Sequence, residues 1–207
     1  MKKIVTLAFV GLLTVFAVAC SSYDVATNNG NTATTVATTP TTNTNSNAPL
    51  KSETSEDVPA NVRAVFPEAQ SITKQHKDLT PDQIASIEKE TKTTVTDKDH
   101  HSYLAFSTNG GARKQIGAAT VVEADGKQMI VVYESRNGLP FIKEVRAEGI
   151  PQTFLDQFKG KGHDDKFQIG QDLKAQGVNQ ATAAAVSDAV RRDSVTMQTL
   201  YGSAHAH

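Results

Sequence analysis

From residue 58 onward the hydrophobic and polar positions fall into short blocks with two periods. Residues 59–66 predict a short helix that Pro67 stops. A strand is predicted at 72–76. Thr80-Pro81-Asp82-Gln83 opens a helix, with Thr80 as N-cap, Pro81 at its first position, and Ile84 and Ile87 on one face. Strands are predicted at 103–107, 114–123, 128–134 and 141–147. Between them stand the turn signals Asn109-Gly110-Gly111, Asp125-Gly126 and Asn137-Gly138. A short helix is expected at 151–158. A long one is expected from about Gln180 to Leu200, with Val186, Val190, Met197 and Tyr201 along one stripe. This order predicts an α+β domain: an antiparallel sheet of about four to five strands, flanking helices and a long C-terminal helix. Residues 203–207 are read as a tail.

The first 57 residues follow neither period. Lys2 and Lys3 precede an uncharged stretch over residues 4–19, shorter than the roughly 20 residues of a membrane span and suited to the apolar part of an export signal. It ends Ala17-Val18-Ala19-Cys20-Ser21-Ser22, which resembles a bacterial lipobox, although Ala17 stands where leucine is usual. Cys20 is the chain's only cysteine. Residues 1–19 are therefore expected to be a lipoprotein signal peptide, with Cys20 acylated after cleavage. The expected partner of Cys20 is membrane lipid, because more than one acyl chain, at about 0.8 kcal/mol per buried CH₂, gives stable anchoring. The expected location is the extracytoplasmic side of a bacterial cell envelope. Residues 20–57 form the anchor and a tether. Nine Thr and six Asn crowd residues 27–47, too polar to offset the entropy of ordering. A flexible segment of ~37 residues spans roughly 30–35 Å.

Charge and composition remove several classes. With 21 basic and 22 acidic residues the chain lacks the excess positive charge of a nucleic-acid binder, and no nucleic-acid partner is expected. One cysteine excludes an intrachain disulfide and a thiolate zinc cluster. No phosphate-binding glycine loop, zinc-protease helix, nucleophile elbow or calcium loop is present. Of the histidines, His100 and His101 are assigned to a loop before a strand, His163 to a second loop, and His205 and His207 to the tail. No set of about four converging ligands can be read from them, and no metal site is expected. A metal-handling surface resting on His100, His101 and His163 ranks last among the functions considered.

The start of the long helix carries more chemistry. Gly177, Asn179, Gln180, Ala181 and Thr182 bring small and polar residues to a helix N-terminus, where free N–H groups and the macrodipole favour an anion such as phosphate. Asn179 alone reads as an ordinary N-cap.

Over residues 65–200 the chain resembles the FMN-binding domain family of exported flavin-carrying electron-transfer proteins. The resemblance rests on Val65-Phe66-Pro67-Glu68-Ala69, Leu79-Thr80-Pro81-Asp82-Gln83, Gln115-Ile116-Gly117-Ala118-Ala119 and Phe154-Leu155-Asp156-Gln157-Phe158-Lys159-Gly160-Lys161, in that order and spacing. It implies FMN as cofactor, a redox partner protein, and a Thr hydroxyl at a helix N-terminus esterified to the flavin phosphate. The family motif resembles D-x-x-S-G-A-T. Ile169-Gly170-Gln171-Asp172-Leu173 before it and Ala185-Val186 through Arg191-Arg192 after it fix an ungapped register. In that register Lys174 replaces the Asp, and Gln180 replaces the acceptor Thr. A register shifted by two residues makes Thr182 the acceptor but breaks the second flank. On either register the attachment motif is damaged. FMN is therefore expected to be held non-covalently, with an ester at Thr182 as the lesser case. The alternative is a flavin-less binding or structural module that retains the fold. No turnover site is legible, so an electron carrier or binding module is favoured over an enzyme.

Overall fold

A computed structural model describes residues 57–203. The expected signal peptide, Cys20, nearly all of the expected tether and the last four residues lie outside the described residues. The elements run α1 (Ala60–Ala64), β1 (Ser71–Asp78), α2 (Pro81–Thr91), β2 (Asp99–Ser107), β3 (Lys114–Ala124), β4 (Lys127–Arg136), β5 (Leu139–Ala147), α3 (Gln152–Leu155) with a 3₁₀ turn over Asp156–Phe158, and α4 (Gln180–Tyr201). The five strands pair in chain order, each antiparallel to the next. The architecture is α+β, with the long C-terminal helix lying across the sheet.

Local chemistry explains the joints. Thr80 and Gln83 form a reciprocal capping box at α2: the Gln83 N–H donates to Thr80 Oγ1 and the Thr80 N–H to Gln83 Oε1. The β3–β4 and β4–β5 turns are Asp125-Gly126 and Asn137-Gly138. All four residues have positive φ, the backbone that a two-residue hairpin with the correct twist requires.

The sheet has two apolar faces of unequal cover. On one, Leu104, Ala118, Met129, Val131, Tyr133 and Ile142 pack under α4 through Ala183, Val186, Val190 and Met197, with Phe154, Leu155 and Phe158 closing the same core. On the other, Val62, Val65 and Phe66, from α1 and the residues just after it, cover Tyr103, Ala105, Ala119, Ile130 and Val132. Gly117 lets Phe66 lie close, since a Cβ there would stand 2.8 Å from its ring. With five residues, α1 covers only part of this second face.

His100 and His101 do not lie in the loop before the strand that the sequence predicts; they belong to β2, which begins at Asp99 rather than Tyr103. Pairing with β1, where Lys77 faces His100 and His76 faces His101, supplies the backbone partners that hold these polar residues in a strand.

Candidate functional site

The residues singled out at the start of α4 come together at one end of the sheet. Asn179 is the N-cap, its Oδ1 accepting from the Thr182 N–H at 2.8 Å. Gln180 and Ala181 are exposed. Gly177 has φ +72 and abuts the Pro151 ring, so the turn into the helix takes a backbone that favours glycine. Thr182 is buried, and its hydroxyl donates to Asp125 Oδ2 at 2.6 Å. The β3–β4 hairpin thus brings a carboxylate to the first turn of α4. This is the place where the free N–H groups and the dipole favour negative charge.

Farther along the helix lies a polar cluster that sequence reasoning missed. Asp193 is buried within the core-facing stripe of α4. Its Oδ2 accepts from Thr120 Oγ1 at 2.5 Å and from Tyr133 Oη at 2.6 Å, and His100 Nε2 stands 3.4 Å from its Oδ1. Burial, then the neighbouring Asp193 charge, push the Tyr133 phenol well above the ordinary tyrosine value. A signal was available: 186, 190, 193 and 197 share one helix face, and an acid in that stripe must find partners inside. Nearby, Ser102 Oγ and Tyr201 Oη are 2.7 Å apart, and burial raises the Tyr201 pKa. Lys77 Nζ sits 3.9 Å from the Tyr201 ring centre and donates to the Leu200 carbonyl; burial lowers its pKa.

A cleft opens beside this second region. It has a volume of about 920 Å³, between the start of β3, the end of β4 and the C-terminal part of α4. Tyr133, Met197, Leu104 and Tyr201 contribute to its lining, with Lys114 and Glu134 among the charged residues. A second cleft, of about 870 Å³, adjoins the β3–β4 hairpin and includes Lys127 and Arg146. None of Gly177, Asn179, Gln180, Ala181 and Thr182 lines either one. Thr182 and Met197 are 15 positions apart on α4, so about 22 Å of helix separates the helix start from the larger cleft.

His100, His101 and His163 lie in different surroundings. His100 points to Asp193 on the α4 side of the sheet, while His101 pairs across strands with His76. His163 is buried, not on a solvated loop, with Nε2 3.1 Å from Asp164 Oδ1. The structure does not bring His100, His101 and His163 together as a ligand set. Among the described residues no helix is long and apolar enough to cross a membrane.

Comparison with known protein families, with curated proteins and with solved structures finds no match to this chain.

Proposed function

We propose that the chain is a lipid-anchored protein of the bacterial envelope whose domain holds FMN non-covalently and passes electrons to a redox partner. The observation that carries this reading is the cleft of about 920 Å³ beside α4. Its volume lies within the ~300–1,000 Å³ of small-molecule and cofactor sites, and it combines aromatic and aliphatic walls with a few polar groups. Flavin would supply the electron chemistry; the protein would supply position and surroundings. Lys114 offers a cation for the phosphate.

Covalent attachment is not part of the proposal. The exposed Gln180 has no hydroxyl to esterify, and the Thr182 hydroxyl is committed to Asp125.

A second reading has its own support. Asp125 brings the protein's own carboxylate to the helix N-terminus, where it would repel a phosphate. A flavin-less module that kept the fold fits this arrangement. The deciding experiment is export of the full chain together with a flavin transferase, followed by visible absorbance and intact mass before and after denaturation. Flavin released on denaturation supports the proposal. Flavin mass that survives denaturation and disappears in Thr182→Ala identifies the ester instead. Absence of flavin under all conditions selects the second reading.

A further inference from the structure

We propose that His76, Asp99 and His101 form a binding site for a borderline divalent transition ion of the Zn²⁺ class. The site lies on β1 and β2, away from the cleft beside α4, and strand register assembles it. His76 is directly opposite His101, and Asp78 directly opposite Asp99. Alternation along a strand sends 76 and 78, like 99 and 101, to the same side. This is the face that the short α1 covers in part, with Val62 and Phe66 over Tyr103 and Ala105. His76 and His101 remain substantially open to solvent, so an ion can reach them.

The donor atoms converge. Asp99 Oδ1 stands 2.6 Å from His76 Nε2 and 3.6 Å from His101 Nδ1. One donor atom from each of the three residues lies within 4.8 Å of the others. The two rings are nearly parallel, 18° apart, with centroids 5.1 Å from each other. Ligands at ~2.0–2.1 Å from a tetrahedral ion are about 3.3 Å apart, so small side-chain rotations close this set around a centre.

A second observation points the same way. Asp99 Oδ1 is buried, and no described donor meets it with hydrogen-bond geometry, although an imidazole nitrogen is only 2.6 Å away. A carboxylate oxygen directed between two imidazoles without a well-angled donor is suited to a cation. The Asp99 N–H donates to Asp97 Oδ1, which helps fix the strand at this point.

Two imidazoles and a carboxylate favour zinc, copper or nickel over calcium or magnesium. Three protein ligands leave a fourth position. Asp78, whose Oδ1 is 3.6 Å from His76 Nε2, is placed to fill it; otherwise it falls to water. The single-chain spacing concealed this set, since 76 and 101 meet only through the β1–β2 register.

The test uses the full chain in detergent, without a histidine tag, in a His205→Ala/His207→Ala background that removes the tail imidazoles. Zn²⁺ uptake is measured by competition with a chromophoric chelator, and imidazole nitrogen resonances are followed during titration. The expected result is one Zn²⁺ per chain, shifts confined to His76 and His101, and affinity weakened about 100-fold or more in His76→Gln and in His101→Gln. Asp99→Asn should weaken it by at least about 10-fold. Unchanged metal-free melting of His76→Gln, at an exposed side chain, keeps loss of fold out of the readout. No stoichiometric uptake, uptake unaltered in both histidine variants, or shifts centred on His100 or His163 would overturn the proposal.

Discussion

The long helix α4 carries two threonine–carboxylate contacts of similar length and different setting. At its start, Thr182 donates to Asp125 of a hairpin turn, and that carboxylate answers one side-chain hydroxyl beside exposed Gln180 and Ala181. In its middle, Asp193 receives Thr120 and Tyr133 inside the core, with His100 beside it. The first contact joins a helix end to a neighbouring hairpin where water can replace a lost partner. The second ties the helix to β2, β3 and β4 at once, where water cannot. A buried charge is tolerated only with several donors, so the central cluster fixes how α4 crosses the sheet. The outer contact mainly sets where the helix begins.

The largest expected effect comes from removing the central acid. Asp193→Ala leaves the Thr120 and Tyr133 hydroxyls buried without their acceptor, and should lower unfolding free energy by about 2–5 kcal/mol in urea titrations. Equal loss from Asp125→Ala would erase the distinction between the two regions. The same cluster predicts a response to alkali. The folded chain holds the Tyr133 proton more tightly than the unfolded chain, so this stabilisation is complete below the unfolded tyrosine value of about 10 and declines as pH rises beyond it. Lys77, with its pKa lowered by burial, works in the opposite direction. The informative quantity is therefore the difference in melting temperature between wild type and Tyr133→Phe across pH 9 to 11 (about the tyrosine range). That difference should narrow as pH rises.

At the outer contact, Thr182→Val should cost about 1–2 kcal/mol, the worth of a partly buried hydrogen bond to a carboxylate. Asn179→Ala should cost about 1 kcal/mol by removing the cap, with hydrogen exchange accelerated in the first turn of α4 only. Gln180→Thr changes an exposed side chain and should stay within about 0.5 kcal/mol of wild type. If flavin transferase then attaches FMN to the Gln180→Thr chain, the ungapped register of the attachment motif is correct.

Local elements were legible in the sequence to within a few residues. The capping box at Thr80, the Asp-Gly and Asn-Gly turns, and the apolar stripe of α4 are decided by neighbours in the chain. The boundary of β2 was not. Asp99, His100 and His101 have little strand character in isolation, and only pairing with β1 draws them into the ladder. Their side chains then separate: His100 turns inward to Asp193 and His101 outward to His76. Adjacent residues in a strand occupy opposite faces, so a pair that reads as one motif becomes parts of two different groups.

The candidate site residues show the same division. That Asn179 caps α4 followed from its position before a helical stripe. That Thr182 is occupied by Asp125, 57 positions away, depended on a hairpin folding back over the helix start. The sequence determined the elements, because turns, caps and hydrophobic periods act over a few residues. Tertiary structure decided which carboxylate meets which hydroxyl, which face His76 shares with His101, and where a cofactor-sized cleft opens. Those depend on strand register and on the crossing of α4, and both arise from packing between segments far apart in the chain.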